Sequence, residues 1–105
     1  MEGLLIASLV WLAIPSAMAQ PAADPTNGRA LAQELCSGCH LVGPEDKGPV
    51  PDGIPSFVEI AGRPGTDADR PQVALLHPPH SQMPSPPLDT RQTQDVAAYI
   101  LSLRP

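Results

Sequence analysis

The sequence predicts an all-α fold of three to four short helices, joined by proline-rich loops and wrapped around a group that the polypeptide does not itself supply. Three observations carry this expectation. Helix-start signals recur at Asp24-Pro25, at Asp69-Arg70-Pro71 and at Asp89 with Gln92 three residues on. No alternating apolar and polar run survives the fifteen prolines. Beyond residue 19 the only Phe, Trp or Tyr side chains are Phe57 and Tyr99, which is little large apolar volume for the core of a small domain.

The elements follow in order. Leu4 to Ile14 form an uncharged apolar run, broken by Pro15 and followed by Ala17-Met18-Ala19, the pattern of an export signal cleaved after Ala19. Glu2 stands where such a signal is usually basic. Eleven strongly apolar residues fall short of the roughly 20 that span a bilayer, so no lasting membrane insertion is expected. The chain thus divides into a signal peptide, residues 1–19, and one domain, residues 20–105. Asp24 and Pro25 read as N-cap and first helical position, and Arg29 to Leu35 continue that helix. From Leu41 to Pro55 the chain is too rich in Pro and Gly for regular structure and reads as an extended wrap over a surface. Phe57 to Ala61 allow about one helical turn, ended at Gly62. Asp69 reads as the cap of a short helix over Pro71–His77, stopped before Pro78-Pro79. His77–Pro87 is a loop, with prolines at 78, 79, 84, 86 and 87. In the last helix, capped by Asp89, Val96, Tyr99, Ile100 and Leu103 fall at i, i+3, i+4 and i+7, an apolar stripe that should dock on the first helix.

The chemistry is concentrated at Cys36-Ser37-Gly38-Cys39-His40. Two thiols three residues apart with a histidine directly after them form the attachment pattern for c-type haem. On one helical turn the thiols can reach two vinyl groups of one porphyrin edge, which brings His40 to the iron as a neutral imidazole ligand. A haem would also supply the missing apolar core. A disulfide between the two cysteines would close a very small loop with little entropic gain. A thioredoxin-like reading lacks the surrounding βαβ pattern.

Met83, in Gln82-Met83-Pro84-Ser85-Pro86-Pro87, is the methionine that remains after signal cleavage. Its soft thioether suits the second axial position, and His/Met ligation raises the reduction potential into the carrier range. A proline-stiffened loop loses little entropy on forming a weak iron–sulfur bond. His77 and His80 are the other candidates for that position, and bis-His ligation would give a low potential. A Cys₂His₂ zinc site from Cys36, Cys39, His77 and His80 is disfavoured, because His-x₂-His is shorter than the usual spacing and Pro78-Pro79 stiffens it.

Taken together these residues resemble the small bacterial class I c-type cytochromes, over the whole of residues 20–105. Gly28, eight residues before Cys36, is similar to the family's helix-crossing glycine; Pro55-Ser56-Phe57 resembles its proline turn; Gln82-Met83-Pro84 resembles its axial-ligand loop; Asp95 to Ile100 resemble its aromatic-bearing last helix. The chain departs from the pattern at Ala32, where the family often has an aromatic. The resemblance implies the cytochrome c fold around one covalent haem c, metal ligands His40 and Met83, and cofactor-binding residues Cys36, Cys39 and Pro55. The Pro55 carbonyl would accept a hydrogen bond from the second ring nitrogen of His40. It implies a periplasmic one-electron carrier that is not itself an enzyme, passing electrons between a dehydrogenase and an acceptor. The alternative is a permanent electron-transfer subunit of a periplasmic oxidoreductase, which would need a larger apolar docking surface. A haem with an open sixth site, for catalysis or sensing, is opposed by Met83.

Formal charge is −5, and Lys47 is the single lysine. With no basic run, nucleic-acid binding has no electrostatic support. A partner steered by charge should present a basic face.

Overall fold

A computed structural model of the chain describes residues 3, 8–13, 22–67, 69–76 and 88–105. Among them there are four helices and no strand: α1 (Pro25–Leu35), α2 (Phe57–Gly62), α3 (Asp69–Leu76) and α4 (Thr90–Ser102). The all-α expectation holds, and none of these helices is long and apolar enough to cross a membrane.

Each helix begins where a side chain can accept the amides that its first turn leaves unpaired. Asp24 Oδ1 accepts from the backbone of Thr26 at 2.9 Å and of Asn27 at 3.2 Å, with Pro25 at the first helical position. Asp89 accepts from the Gln92 amide at 2.7 Å, and the Gln92 side chain accepts from the Asp89 amide at 3.0 Å, closing the expected capping box. A second box starts α2: Ser56 Oγ accepts from the Glu59 amide and Glu59 Oε2 from the Ser56 amide.

The start of α3 differs from expectation. The helix opens at Asp69 rather than Pro71, and Asp67, not Asp69, takes the first amides, those of Asp69 at 3.1 Å and Arg70 at 3.2 Å. The reason lies in proline itself. Pro71 as third residue of the helix lacks an N–H that would have had no intrahelical partner anyway, so proline marks the first turn without fixing its first residue. The expected end at His77 lies outside the described residues. Residues 41–55 contain turns and bends but no helix or strand, as their composition implies.

The core is small. Ala32, Val42, Phe57, Ala61, Val96, Ala97, Tyr99 and Ile100 are buried, with Leu31, Cys36, Ile60, Leu75, Leu88 and Leu103 packed partly buried against them. α4 is the central element: its stripe lies chiefly on α1, with α2 and α3 on other parts of its surface. The buried residues of α1 are Gly28 and Ala32, one turn apart. Two small residues at that spacing let α4 approach closely, which accounts physically for Ala32 where an aromatic is usual. Volume comes instead from Tyr99 on the opposing helix and from Phe57 beside it, their ring centroids 6.4 Å apart. The outcome for the site is that the C-terminal end of α1, the start of α2 and Tyr99 in the C-terminal half of α4 meet around residues 40–42.

Candidate haem site

Cys36 caps α1, its amide donating to the Ala32 carbonyl at 2.8 Å. The Cys36 carbonyl in turn accepts from Cys39 at 3.1 Å and from His40 at 2.9 Å. The motif is therefore a tight turn continuing the helix end. Ser37 Oγ, donating to the Gln33 carbonyl at 2.5 Å, ties it back to the preceding turn. This geometry puts both thiols and the imidazole on one short turn, which is why the spacing in the sequence matters.

Neither cysteine forms a disulfide, and both are half-buried. Burial first, and then the neighbouring Cys39, push the Cys36 thiol up from its ordinary value. That is the reverse of the attacking cysteine of a dithiol oxidoreductase, which needs a depressed pKa. The described residues likewise form helices and no strand, without the βαβ framework of a thioredoxin-like site.

His40 Nδ1 lies 2.6 Å from the carbonyl oxygen of Pro55. A carbonyl can only accept, so Nδ1 carries the proton and donates it. In the neutral ring the lone pair then belongs to Nε2, the nitrogen a metal would take. The imidazole also packs against the Phe57 ring, centroids 5.3 Å apart at 54°. The Phe57 amide donates to the Leu41 carbonyl at 2.9 Å, and the Tyr99 hydroxyl donates to the Val42 carbonyl at 2.6 Å. Burial pushes the Tyr99 hydroxyl further above its ordinary value, consistent with its place as a buried donor.

Of the residues singled out in the sequence, the fold brings together Cys36, Cys39, His40 and Pro55. Met83, His77 and His80 lie outside the described residues. Sequence reasoning passed over two buried polar groups of α4. One is the Tyr99 hydroxyl. The other is Asp95, which accepts from the Asp24 amide at 2.8 Å and from the Asn27 side-chain amide at 2.8 Å, and pairs with Arg91 at 3.3 Å. A signal for Asp95 was present: it stands four residues before Tyr99, on the inward stripe, where an acid demands a partner.

The donor set fits a covalently held haem: two unbridged thiols at a helix end, and an imidazole with its tautomer fixed for metal binding. The Cytochrome c family model matches residues 25–104. This chain belongs to the cytochrome c family. Cytochrome c-552 of Bradyrhizobium diazoefficiens is 39% identical to it over 97 residues, covering 92% of this chain and 91% of that protein. No solved structure matches. As a cytochrome c the chain carries a covalent haem c with iron and serves electron transfer, with redox proteins as its partners. The four gathered residues could hold that haem, Cys36 and Cys39 by thioether bonds and His40, backed by Pro55, at the iron.

Proposed function

We propose that this cytochrome is exported by residues 1–19 and works in the periplasm as a one-electron carrier, residues 20–105 forming its single domain. In this reading Cys36 and Cys39 anchor the haem, His40 and Met83 are its axial ligands, and both axial positions being filled leaves no open site for substrate. The protein is then a carrier and not an enzyme. The haem iron supplies a reversible Fe(II)/Fe(III) change.

The observation that carries the reading is the short bond from His40 Nδ1 to the Pro55 carbonyl. A hydrogen bond of that kind holds the imidazole in one orientation and one tautomer and raises the basicity of its other nitrogen. A carrier needs that rigidity, because a ligand that stays put between oxidation states keeps reorganisation small. In the sequence Met83 is followed by Pro84, Pro86 and Pro87, a composition that lowers the entropy lost when a ligand bond forms and so supports the same role on the other face.

The test is a potentiometric titration of purified holoprotein followed by its optical spectrum. A single one-electron wave at a potential typical of His/Met haem, with no binding of carbon monoxide to the reduced form, supports a carrier with both axial positions filled. A low potential, or ready carbon monoxide binding, contradicts it.

A further inference from the structure

Three consecutive residues after the second cysteine are each tied to a different point of the fold. His40 donates from its ring to the Pro55 carbonyl at 2.6 Å, Leu41 accepts from the Phe57 amide at 2.9 Å, and Val42 accepts from the Tyr99 hydroxyl at 2.6 Å. The first two ties join the segment to one neighbouring stretch, residues 55–57, which the Ser56/Glu59 box fixes to α2. The third comes from α4, 57 residues away in sequence. Tyr99 reaches the same place a second way, because its ring meets Phe57 and Phe57 meets the His40 imidazole, at centroid separations of 6.4 and 5.3 Å.

We propose that Tyr99 is a positioning residue for the proximal ligand: by its hydroxyl through Val42, and by its ring through Phe57, it keeps His40 in register with Pro55. This inference rests on His40 being an iron ligand. The physical argument concerns sliding. The length of the His40–Pro55 bond depends on the relative placement of two irregular segments, neither of which belongs to a sheet or helix at that point. The Leu41–Phe57 bond alone leaves them a pivot. A second anchor one residue along, from Tyr99 on helix α4 to Val42, removes it. Val42, Phe57 and Tyr99 are all at most 5% exposed, so water does not readily replace the Tyr99–Val42 bond.

The simpler view is that Tyr99 only fills space between α1 and α4. Tyr99→Phe separates the two, since it keeps the ring and removes the hydroxyl. The readouts are solvent exchange of the His40 Nδ1 proton in reduced, diamagnetic holoprotein by NMR, the reduction potential, and global stability by denaturant. The proposal expects the Nδ1 proton to exchange about tenfold faster or more in Tyr99→Phe, beyond any change in the α4 core amides, as loss of a buried hydrogen bond implies. It also expects the potential to rise, because a slackened bond to Pro55 makes the imidazole a weaker donor to oxidised iron. An unchanged Nδ1 exchange rate and potential, with stability lowered, would show Tyr99 to be filler and overturn the proposal. If the Tyr99→Phe holoprotein does not accumulate, the wild-type protein carries the test: the His40 Nδ1 and Tyr99 hydroxyl protons should exchange through one shared opening, with the same denaturant dependence, and an Nδ1 proton that exchanges through a separate opening would overturn the proposal. A wild-type spectrum without a haem-shifted His40 Nδ1 proton would instead defeat the ligand reading beneath the proposal, which distinguishes the two failures.

Discussion

A methyl group on Gly28 would stand 1.9 Å from the backbone carbonyl oxygen of Asp95. The obstacle is backbone, not the end of a flexible chain, so α1 and α4 would have to separate. Gly28→Ala is expected to destabilise the holoprotein by about 3 kcal/mol, the upper part of the range for overpacking a close contact. A denaturant titration measures it. Stability within a few tenths of a kcal/mol of wild type would mean that the helix crossing is not as close as described.

Asp95 makes the same crossing sensitive to acid. Burial pushes its carboxyl up, but the Asp24 amide, the Asn27 side chain and Arg91 together outweigh burial and hold it below the ordinary value of 3.8. A depressed native pKa favours the folded state once the unfolded group would ionise, so this contribution is complete above about pH 5 and is lost as pH falls through the native pKa. Asp95→Asn should therefore lower stability by about 2–3 kcal/mol near neutral pH, the worth of hydrogen bonds to a buried charge, and less toward pH 2. Melting curves from pH 7 to pH 2 check the convergence; a constant gap between the two proteins contradicts the assignment. Arg91, whose side chain is 41% exposed, is the least important partner, and Arg91→Ala should cost under about 1 kcal/mol.

Replacing either Cys36 or Cys39 with Ser should leave a haem held by one thioether, and His40→Ala little folded holoprotein. The wild-type protein should retain haem through acid-acetone extraction. Its mass should exceed that of the polypeptide after residue 19 by one haem, which also locates the cleavage site. Extraction of free haem from the wild type, or a mass that includes residues 1–19, would contradict the attachment or the export reading respectively.

How much of this was readable beforehand varies with the physics involved. The caps at Asp24 and Asp89, the stripe Val96, Tyr99, Ile100 and Leu103, and the haem turn at Cys36–His40 are local patterns, in which residues a few positions apart determine the outcome. The start of α3 was misplaced because Asp67 and Asp69 are both competent caps and Pro71 tolerates either. The contact of Pro55 with His40 came from resemblance, since nothing in the spacing of two residues fifteen apart dictates it. The roles of Asp95 and of the Tyr99 hydroxyl depend on partners 71 and 57 residues away, which only the folded chain identifies.

Charge distinguishes a diffusing carrier from a fixed subunit. Loss of Glu2 with residues 1–19 takes the net charge from −5 to −4, and with one lysine the chain should meet a basic partner face, electron exchange slowing as salt screens the attraction. A permanent subunit would hold its partner through a large apolar interface that survives salt. Size-exclusion chromatography of native periplasm at high ionic strength is expected to release the haem absorbance as a lone small domain. Stable co-elution with a dehydrogenase would favour the fixed subunit.

The pairing of His40 with Met83 at one iron is the centre of the account, and the optical spectrum of the oxidised holoprotein tests it most directly. A weak sulfur-to-iron charge-transfer band at the red edge of the visible spectrum, present in the wild type and absent from Met83→Ala, is the predicted result. A wild type without that band, or a Met83→Ala protein with the same spectrum and the same low potential as wild type, would contradict it and transfer the sixth position to His77 or His80.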